Sequence, residues 1–307
     1  MQKTVVILLS DKRSGSTMFE DELCRHPDIQ HVEYTPHSYF ETHHWLKAAV
    51  VLGMAPETFS GGCVYPGYGS AVGARSYLID CIKKNVPQFS VPENDRTLIF
   101  HGWDALCERF ANPVFFEKSP QILAHWASLS LLYEWMQSTD YKVKIIGLTR
   151  NPLSVQYSAY KLFHTDPKKR QFGWLETQKN LLAFQALLPV DSFMHVRYED
   201  IITQHKATFA RVCGFIGVSE DHGIGSNVHS QSINKWMDDP RFTIRLDETV
   251  KQIAYHFGYT DEDLTNPLKT ELPRWQKIRE RISGGLSSIP VRLRDRWIKP
   301  LLLRIKR

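Results

Sequence analysis

Two short stretches carry residue types that can hold a charged oxyanion. The first is Lys12-Arg13-Ser14-Gly15-Ser16-Thr17, which follows the apolar, β-branched run Thr4-Val5-Val6-Ile7-Leu8-Leu9. Met18, Phe19 and Leu23 come next at helical spacing, and His26-Pro27 closes the pattern. In such a strand, turn and helix, the turn directs backbone N–H groups outward at a helix N-terminus. Hydrogen bonding and the helix dipole both favour a phosphate or a sulfate there. Gly15 admits close approach of the backbone. Ser14, Ser16 and Thr17 add hydroxyl donors, and Arg13 adds a planar charged fork. This is not a Walker A loop, because GxxxxGK[ST], with its Lys and its Mg²⁺-binding hydroxyl, is missing. Taken alone, the stretch also reads as a plain capped helix after a strand.

The second stretch is Thr149-Arg150-Asn151-Pro152, with Ser158 eight residues beyond Arg150. Lys142 to Leu148 reads as a buried strand through Val143, Ile145, Ile146 and Leu148, and Asn151-Pro152 supplies an N-cap and a Pro at N1. Ligands bind at the carboxyl ends of parallel strands in such folds, where Arg150 stands. A helix from Asn151 brings Ser158 within about two turns of it. Both can then touch one phosphate.

The elements that must position these residues follow one grammar. Pro113 to Phe116 reads as a strand, about Gln121 to Gln137 as a helix, and Ser192 to Val196 as a further strand ending in Arg197-Tyr198-Glu199-Asp200. Helices are expected near 204–216 and 246–257. Alternating strands and helices predict a parallel sheet covered on both faces. Two segments depart from the alternation. Thr58 to Gly73 holds five glycines without a period and reads as a loop or lid, and Ser219 to Ser232 reads as a second loop.

Composition bounds the rest. The chain has 307 residues with 42% hydrophobic and 23% charged side chains, which excludes collagen-like, coiled-coil and largely disordered classes. The formal charge of +5 is local, because Arg292 to Arg307 alone sums to +6. The body is therefore no general polyanion binder, and no nucleic-acid partner is expected. The five cysteines form no CxxC pair and predict reduced thiols in a cytoplasmic protein. Val5 to Leu9 is too short for a membrane span. His43-His44 is adjacent and lacks the i,i+4 spacing of a zincin helix, so no metal site is expected.

The combination of Arg13-Ser14-Gly15-Ser16-Thr17 with Arg150 and Ser158 resembles the sulfotransferases that use 3′-phosphoadenosine 5′-phosphosulfate (PAPS). Further likenesses are Cys24-Arg25-His26-Pro27-Asp28-Ile29 followed by Glu33, then Glu117-Lys118-Ser119-Pro120, Val196-Arg197-Tyr198-Glu199-Asp200 and Val212-Cys213-Gly214-Phe215-Ile216-Gly217. The resemblance runs from about residue 4 to about 260 and is closer to the Golgi-type and bacterial branches, which use R-S-G. It implies a P-loop-NTPase-like α/β domain over 1–290, a central parallel sheet flanked by helices with helical insertions, and a basic extension over 291–307.

By the same resemblance, Arg13 to Thr17 hold the 5′-phosphosulfate, Arg150 and Ser158 the 3′-phosphate, and Tyr198 lies near the adenine. Lys118 and Arg13 balance charge at the leaving group, and no metal takes part. Pro120 stands where the cytosolic branch has its catalytic His, so the expected base is Glu33. The neighbouring Tyr34 marks a register one residue away, and His31, His37, His43 and His44 compete for the role. Ser230 or Ser232, ahead of Asn234-Lys235-Trp236, resembles a family serine near the phosphosulfate.

The acceptor is left open among carbohydrate, lipid, small metabolite and peptide, with its pocket expected in loops within 34–110 and 219–245. Tyr65, Tyr68 and Trp103 could line it or pack in the core. The tail Val291 to Arg307 alternates basic and apolar residues around Pro300, which fits an anionic membrane surface, a partner subunit or a solvated extension. The rival readings are a Mg²⁺-dependent nucleotide kinase and a non-catalytic binding protein on the same fold.

Overall fold

The computed structural model describes residues 3–36, 38–55, 70–221, 223–226, 228, 233–239 and 241–266. Within these, the strands β1 (Thr4–Ser10), β2 (Ile29–Gln30), β3 (Val114–Lys118), β4 (Lys142–Thr149) and β5 (Phe193–Arg197) form one parallel sheet in the order β2-β3-β1-β4-β5. The helices are α1 (Ser16–Leu23), α2 (His44–Val51), α3 (Ala71–Asn85), α4 (Asp95–Phe110), α5 (Trp126–Ser138), α6 (Pro152–Phe163), α7 (Pro167–Gln185), α8 (Tyr198–Thr203), α9 (His205–Ile216), α10 (Glu248–His256) and α11 (Asp261–Leu264).

Every residue of β1 is buried, as its unbroken apolar run requires of a strand covered on both faces. Val5, Ile7 and Leu9 point into one core, with Trp45 of α2, Leu98 of α4 and Trp174 of α7. Val6 and Leu8 point into the other, with Phe19 of α1 and Phe209 of α9. The register aligns Leu8 with Lys118, Ser10 with Leu148, and Thr149 with Arg197. Strand polarity thus delivers Lys12 to Thr17, Lys118, Arg150 and Tyr198 to one edge of the sheet. The chain turns to β3 on one side of β1 and to β4 on the other, which makes the top of β1 the switch point of the topology.

Three expectations change here. Ser70 caps α3, its Oγ accepting from the Gly73 N–H at 3.1 Å, so residues 71–73 are helical and not loop. Residues 58–69, with Cys63, Tyr65 and Tyr68, lie outside the described residues. Most of the described residues of 34–110 are helical, in α2, α3 and α4 between β2 and β3. Trp103 is fully buried against Trp45, Trp135 and Phe115, a core residue and not an acceptor platform. The tail 291–307, and with it the boundary at 290, lies outside the described residues, as do His37, Ser230 and Ser232. Among the described residues no helix is long and apolar enough to cross a membrane.

Candidate functional site

The turn after β1 is held open by its own fastenings. Asp11 is buried and takes an ion pair from Arg170 of α7, whose guanidinium also donates to the Lys12 carbonyl at 3.3 Å. Gly15 is the N-cap of α1, and no side chain caps the helix there. The first N–H groups of α1 therefore face the turn, available to an anion. Gly15 has φ of +90°, and a Cβ on it would lie 2.3 Å from the Tyr198 ring, so only glycine fits. Arg13 is also left-handed, at φ 74°, a conformation that costs a non-glycine residue about 1–3 kcal/mol. Strain of that kind gathers at ligand sites.

Arg150 arrives from β4 with its backbone fixed. Its carbonyl accepts from Trp174 Nε1 at 3.1 Å, and the Asn151 N–H donates to Glu199 Oε1 at 3.0 Å. Asn151 caps α6 by accepting from the Leu153 N–H at 2.8 Å, with Pro152 in the first turn. That start sets the phase of α6 and turns Ser158 toward the β1 turn.

The two stretches meet. Arg13 Nε donates to Ser158 Oγ at 3.0 Å, and Arg150 Nη1 donates to the Arg13 carbonyl at 3.0 Å. The Arg150 guanidinium lies 4.2 Å from the centre of the Tyr198 ring. Tyr198 is only 5% exposed, so it backs Arg150 and Gly15 and offers little ring surface for an adenine. Together they border a cavity of about 580 Å³, which Lys161 and Lys235 also line. Burial pulls the Arg13 guanidinium below its ordinary pKa, and the charge of Arg150 lowers it further. Two cations that repel each other across a cavity edged with hydroxyls are matched to a multiply charged anion. Lys235 and Trp236 belong to this lining. In the sequence Lys235 and Trp236 stand out only as neighbours of Ser230 and Ser232, and Arg170 and Lys161 carry no signal.

Lys118 sits beside the turn, fully buried. Its ammonium contacts Glu20 Oε2 at 2.9 Å and Glu41 Oε1 at 3.3 Å, and donates to Thr17 Oγ1 at 3.3 Å. Burial alone would lower its pKa, but Glu20 and Glu41 outweigh burial and hold it above the ordinary lysine value. Glu41 is 9% exposed, and its other oxygen lies 3.2 Å from His43 Nε2. Burial depresses the pKa of His43, so the ring is neutral at pH 7 even beside a carboxylate.

The segment that carries Glu41 is strained. Tyr39, Phe40 and His43 have φ of 75°, 55° and 49°. It is pinned by Thr42 Oγ1 to Glu117 at 2.7 Å, by the His43 N–H to Ser119 Oγ at 3.0 Å and by Tyr77 of α3 to the Glu41 carbonyl at 3.2 Å. Tyr39 stands over Lys118, its ring centre 5.9 Å from Nζ.

Glu33 stands at the surface, apart from the contacts of Lys118. Its carboxyl is 71% exposed and pairs with Arg109 of α4 at 3.5 Å. Asn85 of α3 accepts the backbone N–H groups of Glu33 and Tyr34 at 2.9 and 3.1 Å and so fixes the course of the chain there. His44 is buried against the Ile99 carbonyl, and burial pulls its pKa down to about 3. His31 bonds the neighbouring Val32 carbonyl. Among the described residues no three His, Cys, Asp or Glu side chains converge as a metal site.

A family model described as "Sulfotransferase family" matches residues 6–222, a span that contains both anion-facing stretches and Lys118. Among solved structures, the chain is similar to the sulfotransferase domain from the curacin biosynthetic pathway, at 17% identity and a TM-score of 0.59, covering 84% of this chain and 98% of that one. It is also similar to the sulfotransferase domain from the Synechococcus PCC 7002 olefin synthase, at 18% identity and a TM-score of 0.60, covering 84% and 96%. At such identities the likeness is one of fold. A comparison with curated proteins yields no match.

Proposed function

The chain belongs to the sulfotransferase family, and on that premise we propose that it moves a sulfuryl group from PAPS to a hydroxyl or amine of its acceptor by in-line displacement. PAPS supplies an activated sulfuryl group on a nucleotide carrying a separate 3′-phosphate. The residues present fit such a donor: an uncapped helix start, hydroxyls at Ser16, Thr17 and Ser158, and the guanidinium groups of Arg13 and Arg150 border one cavity. The observation that carries the reading is the bond from Arg13 to Ser158 with the bond from Arg150 to the Arg13 carbonyl. These join two stretches 137 residues apart into one cradle at the edge of a cavity of about 580 Å³.

In this reading Arg13 and the α1 N-terminus hold the 5′ end, and Arg150 and Ser158 hold the 3′-phosphate. Lys118, one hydroxyl away from the turn, stabilises charge on the leaving oxygen. The base role passes from Glu33 to Glu41, because Glu41 reaches the Lys118 ammonium whereas Glu33 is paired on the surface. Tyr198 serves as the backing of Arg150. No metal is assigned a part, and the acceptor stays open among small molecules, glycans and lipids.

Calorimetric titration with 3′-phosphoadenosine 5′-phosphate (PAP), AMP and ATP tests the reading. PAP is expected to bind at least tenfold more tightly than AMP, a margin that Arg150→Ala erases. Equal affinity for PAP and AMP overturns it, and Mg²⁺-dependent preference for ATP points to the kinase reading instead.

A further inference from the structure

The buried ammonium of Lys118 has two carboxylate partners where one would balance it. Glu41 is the one that the proposed chemistry uses. Glu20 has no part in it, yet makes the shorter contact, 2.9 Å against 3.3 Å. Glu20 lies on α1 one turn after Thr17, with its side chain 5% exposed. Its second oxygen, Oε1, is buried and has no hydrogen-bond partner among the described residues. Lys118, Glu20 and Glu41, all ionised, sum to one negative charge directly behind the turn that faces the donor. Glu117 of β3 adds a further buried carboxyl nearby. A cluster of that sign opposes the arrival of a polyanion.

We propose that Glu20 is a proton-coupled positioning residue: ionised, it holds Lys118 back in the empty enzyme, and on donor binding it takes up a proton from solvent on Oε1, which frees the ammonium to turn toward the donor. This rests on PAPS being the donor. The balance is simple. One proton moves from buffer to the Glu20 carboxylate, no covalent bond of protein or donor changes, and the charge of the cluster rises from −1 to 0 as the anion enters.

The surroundings agree with an easily protonated carboxyl. The groups that face Glu20 are Lys118 and Glu117 from β3, Glu41 from the segment before α2, and Cys24 at the end of α1. Burial pushes the Glu20 carboxyl up to about 7, the opposing pull of Lys118 notwithstanding. A carboxylate oxygen buried without a donor is costly when charged and far less so when protonated.

The test is calorimetry of PAP binding to the full chain in buffers of different ionisation enthalpy, at pH 7.5 to 9, above the phosphate titrations. Wild type is expected to take up a substantial fraction of one proton. Its Kd is expected to rise by up to about tenfold per pH unit over that range. PAP itself tends to release protons on meeting arginines, so uptake has the distinguishing sign. In Glu20→Gln the uptake disappears and the Kd becomes flat in pH. PAP bound without uptake by wild type overturns the proposal with no variant needed. Uptake that persists in Glu20→Gln also overturns it and moves the proton elsewhere, Lys47 being the next buried group that burial brings to about 7. PAP that does not bind at all removes this inference together with the donor assignment, whereas binding without uptake removes this inference alone.

Discussion

The two ends of the sheet carry clefts of similar size and opposite character. The carboxyl end has the cavity of about 580 Å³ between β1 and α6, and the amino end has a groove of about 650 Å³ beside α4 and α5. The amino-end groove offers comparable room. Its polar groups, however, already serve each other. Asp104 accepts from Trp135 Nε1 at 2.8 Å, Tyr141 donates to Glu108 at 3.1 Å, and Lys3 pairs with Glu108 at 2.6 Å. At the carboxyl end a helix N-terminus has no side-chain cap, and two arginines crowd one space. A site is marked by an uncapped helix start and by like charges held together, not by the room available.

The largest expected effect separates these ends by chemistry. Glu41→Gln should lower PAPS turnover by roughly 10²–10⁴-fold, the range of general-base removal. Glu33→Gln, which alters an exposed pair with Arg109, should leave turnover within about twofold. The reverse outcome would restore Glu33 as the base and break the account of the buried cluster. Lys118→Ala comes next, with a loss of roughly 10²–10³-fold if its ammonium steadies the leaving oxygen. Here stability must be measured as well, because Glu20 and Glu41 are left buried without their cation, at a penalty of about 3–5 kcal/mol. Lys3→Ala at the amino end should change neither turnover nor PAP affinity.

Much of the carboxyl end was legible in the sequence because its parts are local. An apolar run, a small polar turn and a helix pattern lie within 25 residues, and Asn151-Pro152 announces the start of α6 by itself. The spacing of Arg150 and Ser158 then follows from helix geometry. Glu41 was not legible, since three left-handed residues and the pins to Glu117, Ser119 and Tyr77 put it beside Lys118, and no periodicity encodes such a path. The surface position of Glu33 was not legible for the same reason, its local chain course being set by Asn85 more than fifty residues away. The resemblance places Tyr198 near the adenine, and in the fold its ring packs against Gly15 and Arg150 while still bordering the cavity. The glycine-rich stretch masked the cap at Ser70, which needs only one hydroxyl and the helix after it.

A smaller effect sharpens the comparison inside the cradle. Ser158→Ala removes the acceptor of the Arg13 bond and one proposed contact to the 3′-phosphate. Hydrogen bonds to charged groups contribute about 1.5–3 kcal/mol, so PAP affinity should fall roughly 10- to 100-fold while AMP affinity barely moves. Equal losses for both nucleotides would mean that Ser158 only shapes Arg13 and does not read the 3′ end.

The smallest expected effect on binding is the most direct check on the amino end. Asp104→Ala deletes the acceptor of Trp135 Nε1, in a residue 1% exposed. An indole N–H left without a partner costs about 1–3 kcal/mol, which in a chain of this size lowers Tm by a few degrees for each kcal/mol. Asp104 and Trp135 line the groove at the other end of the sheet from the cavity of Arg13 and Arg150. PAP titrated into Asp104→Ala should therefore show wild-type affinity at a temperature well below the lowered Tm. A shift of more than about threefold would mean that the amino-end groove is coupled to the donor site. Its satisfied hydrogen bonds would then be part of a second, linked device and not simple scaffolding.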